Sequence, residues 1–282
     1  MKKIKLLLCL FMLTTLCGCS NSNKNESSKT LNAAMFWIST SLDPTNNYDG
    51  WVLSRIGVGE TLLKLNEKYE VEPYLAKSYE QIDDTTWKLT LKDSITFSNG
   101  KKVTGENVKS CLERAFEKNT RAIDYFDLNH VEAKGQDIYL YLNKSSGAIL
   151  NNLCEPLFTI YDASQSEEDI ANHPLCTGPF VVDDFVSEKT IDTSKNKKYY
   201  DGKAKLDHVH FSRVADSDAR VLALQSGEVD LANTIDYSSL KLFRNNKDYQ
   251  VLEVLGPRTN VIYMNNETTF LSDLTIRKAL SY

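Results

Sequence analysis

Between Thr86 and Lys118 the spacing of apolar residues changes period. Trp87, Leu89 and Leu91 alternate with Thr86, Lys88, Thr90 and Lys92, the period of two of a half-buried strand. Ser98-Asn99-Gly100-Lys101 then has hairpin-turn chemistry. Beyond it, Val108, Cys111, Leu112, Ala115 and Phe116 recur at helical spacing along Glu106–Lys118, with Thr104 placed as the N-cap. A chain that makes both patterns in one short stretch must bury a sheet face against a helix stripe. Purely helical and purely β folds are therefore excluded.

The rest of the chain repeats the mixture. Strands are expected at Thr30–Trp37, Asp93–Phe97, Asp137–Asn143, from Phe180 onward, and at His208–Arg213, Tyr249–Leu255 and Asn260–Asn265. Helices are expected over much of Asp49–Leu63, at Ala148–Leu153, at Asp218–Gln225 with Gly227 as the stop, and from Leu274 onward. No strict βαβ rhythm emerges. The fold class is α/β of the mixed α+β kind rather than a barrel.

The N-terminus sets an address. Lys2, Lys3 and Lys5 precede the apolar run Leu6–Leu16, and Leu16-Cys17-Gly18-Cys19 follows. This is the three-part form of a secretory signal, too short for a span of about 20 apolar residues. Its ending resembles a bacterial lipobox, which implies cleavage after residue 18 and lipidation of Cys19, an anchor to the cell membrane. Residues 19–30 are polar and read as a flexible tether. The formal net charge is −5, and the signal carries three of the lysines, so the remainder is more acidic still. A nucleic-acid partner is excluded by that balance.

Three cysteines remain after the signal and Cys19: Cys111, Cys154 and Cys176. Without C-x-x-C spacing they form neither a zinc cluster nor a redox motif. A disulfide pair outside the cytoplasm and burial as small apolar residues both stay open.

Catalytic signatures are missing. The chain has no G-x-S-x-G elbow, no H-E-x-x-H and no phosphate loop, and Gly57-Val58-Gly59-Glu60 lacks the third glycine of a dinucleotide fingerprint. Asp83 and Asp84 read as a solvated turn. His208 and His210 share one face of a strand but make only half a metal site. The expectation is a non-enzyme with no cofactor and no metal site of its own. Arg121, after an amphipathic helix, offers a guanidinium fork for a ligand carboxylate. Tyr48, Trp51 and Arg55 offer stacking and charge.

Ordered blocks carry a resemblance. Leu42-Asp43-Pro44 and Gly59-Glu60-Thr61-Leu62 come first, then Pro73-Tyr74-Leu75-Ala76-Lys77-Ser78-Tyr79-Glu80. Phe97-Ser98-Asn99-Gly100, Thr177-Gly178-Pro179-Phe180 and Ala223-Leu224-Gln225-Ser226-Gly227-Glu228-Val229-Asp230 follow. Together they resemble the family 5 extracellular solute-binding proteins of ABC importers, the peptide and nickel type. The resemblance implies a periplasmic-binding-protein-like type II lobe, with 31–60 and 176–282 as its main subdomain and 61–175 inserted. It implies an ABC permease and ATPase as partners, and a nickel or metal chelate or an oligopeptide as ligand. In nickel-binding members an arginine placed like Arg121 contacts chelator carboxylates. Family members are longer and bilobal, so a truncated form, ending before the second lobe and with little affinity of its own, is expected. An oligopeptide-only receptor and a non-transport surface lipoprotein are the alternatives.

Overall fold

The computed structural model describes residues 28–254, 256 and 261–281. The signal, Cys19 and most of the tether lie outside the described residues. In chain order the elements are β1 (Thr30–Met35), α1 (Gly50–Arg55), β2 (Leu63–Leu65), β3 (Val71–Pro73), β4 (Ala76–Gln81) and β5 (Thr86–Leu91). Then come α2 (Gly105–Lys118), α3 (Ala122–Tyr125), β6 (Leu128–Lys134), β7 (Asp137–Leu142), α4 (Ile149–Asn152), a 3-10 turn at Pro156–Phe158 and α5 (Glu167–Asn172). The remaining elements are β8 (Phe180–Val186), β9 (Thr190–Lys195), β10 (His208–Arg213), α6 (Ser217–Ser226), β11 (Leu231–Ala232), a second 3-10 turn at Tyr237–Leu242 and α7 (Leu274–Ala279).

The strands segregate into a five-stranded sheet ordered β11-β1-β10-β9-β8, a four-stranded sheet ordered β4-β5-β7-β6, and the small pair β2-β3. In the first, β1 runs parallel to both neighbours, with Thr30 opposite His208 and Ala33 opposite Leu231. The second is antiparallel throughout, with Trp87 opposite Leu140. Alternation explains its inner face: Leu89, Leu91, Ile138, Leu140 and Leu142 are buried. Helix α2 covers that sheet with Val108, Cys111, Leu112 and Ala115. Thr104 and Asn107 close a reciprocal cap at its start, satisfying orphan donors of the first turn. One core joins these layers, from Met35 through Leu91, Leu112 and Phe158 to Ile191. Asp43 lies in it because Arg114 forks onto both carboxylate oxygens at 2.9 and 2.6 Å.

Compactness divides the chain after Asp236. In the unit beginning at Tyr237, Phe243 packs edge-on against Tyr249 and Arg244 pairs with Glu253 at 2.8 Å.

Several elements depart from expectation. The helix over Asp49–Leu63 is only α1, because the chain turns left-handed at Gly57, φ 70°. Asp93–Phe97 is not a strand. The turn at 98–101 closes a single bridge between Thr96 and Lys102, while β5 pairs instead with β4 and β7. Tyr249–Leu255 and Asn260–Asn265 form no strand among their described residues, since an extended run becomes a strand only with a ladder partner. The three cysteines are free. Cys111 and Cys176 are buried and Cys154 half-buried, with burial pushing the Cys111 thiol up to about 12.

Candidate functional site

The first connection of the chain, after β1, folds back against the end of α2. Asn119, the C-cap of that helix, is buried and donates its amide to the carbonyls of Thr45 and Asn47 at 3.0 and 3.1 Å. Asn47 itself takes a left-handed turn, φ 46°, which asparagine tolerates. The Asn119 side-chain oxygen also accepts from the Arg121 backbone N–H at 3.0 Å. One buried amide thus fixes both the loop and the arginine.

Arg121 then reaches across the loop. Its Nη1 donates to the Asn47 carbonyl at 3.1 Å and its Nη2 to the Tyr125 hydroxyl at 2.7 Å. Its guanidinium lies 3.7 Å from the centroid of the Tyr48 ring, a stacked cation–π geometry. Tyr48 is 54% exposed.

The other two expected residues stand one helical turn apart on α1. Arg55 lies between two rings, 5.4 Å from the Trp51 centroid and 5.6 Å from that of Phe36. Trp51 donates its indole N–H to Glu155 Oε1 at 2.9 Å. Helix α1 can sit this close only because Gly50 has no side chain: a Cβ there would stand 2.3 Å from the Pro156 carbonyl oxygen. The Tyr125 phenol is pushed up to about 12 by burial and then by the negative charge of Glu155 beside it.

Tyr48, Trp51, Arg55 and Arg121 therefore lie in one wall, continued by Phe36, Tyr125 and Glu155. Two guanidiniums, each placed over aromatic rings, and one carboxylate make up its charge. Such a wall presents fixed hydrogen-bond forks and π-faces to an anionic or aromatic group. Sequence reasoning did not single out Phe36, Tyr125 or Glu155. Phe36 had a signal: it directly follows the C-terminal end of a strand flanked by parallel neighbours, where ligands of α/β sheets gather. Its N–H is held by Asn233 Oδ1 at 3.1 Å.

The other sequence candidates are structural. His210 pairs with Asp192 at 2.6 Å on a half-exposed face, and His208 is exposed. Among the described residues no group of three or more His, Cys, Asp or Glu is arranged to hold a metal. Asp83 caps its own turn through Thr85 at 2.9 Å.

The chain resembles proteins of known function over most of its length. The family model for bacterial extracellular solute-binding proteins, family 5 Middle, matches residues 70–282. The nickel-binding protein NikA of Staphylococcus aureus is 33% identical over 267 residues, 95% of this chain and 53% of its own length. Its crystal structure in complex with Ni(L-His)2 superposes with a TM-score of 0.74 over 78% of this chain and 46% of that one. A nickel ABC transporter structure from Bacillus halodurans, 27% identical, gives a TM-score of 0.74 over 90% and 53%. The glutathione-binding protein GsiB of Escherichia coli is 27% identical over 231 residues, 78% of this chain and 45% of its own. The chain spans about half the length of the curated relatives it matches. Its fold is the mixed α/β lobe of a type II periplasmic binding protein. With the family's model covering most of its length, the chain belongs to the bacterial extracellular solute-binding proteins of family 5.

Proposed function

We propose that the chain serves as the substrate-binding component of an ABC importer, anchored to the cell membrane by a lipid on Cys19. It captures a small carboxylate-bearing ligand, a nickel or metal chelate ahead of an oligopeptide, and hands it to a permease driven by an ATPase. The observation that carries this reading is the Arg121 guanidinium stacked 3.7 Å from the Tyr48 ring beside the Phe36–Arg55–Trp51 stack. A fork held over a ring by two hydrogen bonds is already oriented, so little side-chain entropy is lost when a carboxylate docks. Tyr48, Trp51, Arg55 and Arg121 are the proposed ligand contacts. The metal would arrive as cargo inside its chelator, with carboxylates rather than the ion meeting these residues. The similarity to NikA supports the order of ligands. The similarity to GsiB keeps a peptide as the second reading.

The proposed subdomains are residues 31–60 with 176–282, and 61–175 inserted between them. Support comes from the sheets: every strand of the four-stranded sheet falls within 61–175, and every strand of the five-stranded sheet begins or lies outside it.

The chain spans about half its relatives' length, so isothermal titration of a version extended to that full length, with nickel(II)–L-histidine and separately with di- to pentapeptides, tests the ligand. Nickel–histidine binding that Arg121→Ala weakens at least tenfold is expected. Binding of peptides alone would reverse the order. Metabolic labelling with a radioactive fatty acid tests the anchor, and Cys19→Ser is expected to abolish the label.

A further inference from the structure

Glu155 bears on both halves of the wall. Its Oε1 accepts the Trp51 indole N–H at 2.9 Å. On its other side its charge bears on the Tyr125 phenol, whose oxygen accepts from Arg121 Nη2 at 2.7 Å. The backbone holds it in place. Glu155 N–H donates to the Asn152 carbonyl at 3.1 Å, and its own carbonyl accepts from Phe158 N–H at 2.9 Å. Asn152 also donates its side-chain amide to the Tyr125 carbonyl at 2.5 Å. The end of α4 therefore fixes Tyr125 and Glu155 together, while the Gly50–Pro156 approach brings α1 up to the same point.

Tyr48 and Arg121 hang from the first connection and the end of α2. Phe36, Arg55 and Trp51 belong to the β1 end and α1. Glu155 comes from a third segment, 104 residues from Trp51. We infer that Glu155 is a positioning residue that locks the Trp51 indole and, through Tyr125, the Arg121 guanidinium into one rigid surface, so that both stacks meet a single ligand. The inference rests on the ligand-binding reading of the wall. Glu155 is a positioning residue because its Oε1 accepts the Trp51 indole N–H and its charge bears on the Tyr125 phenol that holds Arg121.

The test separates positioning from binding. The chain has three tryptophans, so the protein labelled with nitrogen-15 gives three indole N–H resonances, and Trp51→Phe identifies the one belonging to Trp51. In Glu155→Ala that resonance is expected to move upfield as its charged acceptor is lost, with the other two unmoved. Affinity for nickel(II)–L-histidine is expected to fall about tenfold, the loss of one oriented contact. Glu155→Gln keeps an oxygen for the indole and is expected to regain most of the affinity; it also carries the test if the alanine variant does not fold. A Trp51 resonance unchanged in both variants overturns the inference. So does wild-type affinity in both variants when Trp51→Ala and Arg121→Ala each lose binding. If the wild type binds neither nickel–histidine nor peptides but the Trp51 resonance moves, the coupling of Glu155 to Trp51 is supported and the ligand reading falls instead.

Discussion

Glu60 is 1% exposed, yet its carboxylate is fully engaged: Thr177 donates to Oε2 at 2.7 Å and Tyr199 to Oε1 at 3.0 Å. Burial, followed by the charge of Glu60, drives the phenols of Tyr74, Tyr199 and Tyr200 well above the usual range. The residue ties the Gly-Glu-Thr-Leu block to the Thr-Gly-Pro block. Glu60→Ala is expected to lower the unfolding free energy by about 2–5 kcal/mol in urea denaturation, since each orphaned buried hydroxyl costs about 1–3 kcal/mol. Glu60→Gln, which keeps one acceptor, should cost less. Asp49 makes a different prediction. It is 3% exposed, and burial pushes its carboxyl from 3.8 up to about 6, with the charge of Asp43 adding and the bond from Asn46 at 2.6 Å opposing. Between about pH 4 and 6 the folded state holds this proton more tightly than the unfolded state, so stability falls as pH rises through that window. Asp49→Asn should therefore be more stable than wild type at pH 7, by up to about 3 kcal/mol, and equal to it near pH 3.5. Asp43 runs the other way. Burial alone would raise its pKa, but the Arg114 fork and the bonds from Thr45 outweigh it and hold the carboxyl below 3.8. Its contribution is present above that value and is lost as pH falls below it.

At the scale of elements, α1 depends on one missing side chain. Gly50→Ala would drive a Cβ into the Pro156 carbonyl oxygen. Because the Cβ is fixed by the backbone and meets a backbone oxygen, the helix must retreat and carry Trp51 away from Glu155. A lowered thermal midpoint and a shifted Trp51 indole resonance are expected together. Elements whose causes are local were legible beforehand. Helix α2 carries its cap, its turn and its stripe within its own residues, and α6 ends where Gly227 adopts φ 73°. Helix α1 was overextended because Trp51, Arg55 and Val58 keep helical spacing past the point where Gly57 breaks it. Asp93–Phe97 was misread because β propensity says nothing about which partner β5 will choose. The candidate wall was half legible. Residue type marked Arg121, Tyr48, Trp51 and Arg55, but Glu155 sits in an aperiodic segment before a proline. Its meaning comes only from an indole 104 positions away.

Over the whole molecule the sheets were legible as a class but not as an order, since pairing depends on long-range closure. The two compact units also differ in what holds them. Up to Asp236 a large core and a small second cluster of Ala34, Ala223 and Val229 hold the chain, whereas beyond it Phe243 is the only buried apolar side chain among the described residues. Val254 and Tyr263 are 85% and 92% exposed. Local stability follows buried contact. Hydrogen exchange followed by mass spectrometry should therefore show amides of residues 237–254 and 261–281 exchanging within seconds, while those of β1 and β10 are protected for hours.

The position of β1 sets a schedule for the newborn chain. Its parallel neighbours β10 and β11 are the last strands of the sheet, and the Lys29 N–H bonds Asp207 across 178 residues. At synthesis rates of about 5–20 residues per second, β1 waits roughly 10–35 s for its first partner. During that interval its backbone donors and acceptors stand unclaimed, available to any other extended chain. Holding factors that bind nascent chains have most to protect here, in the first strand made and the last to be enclosed.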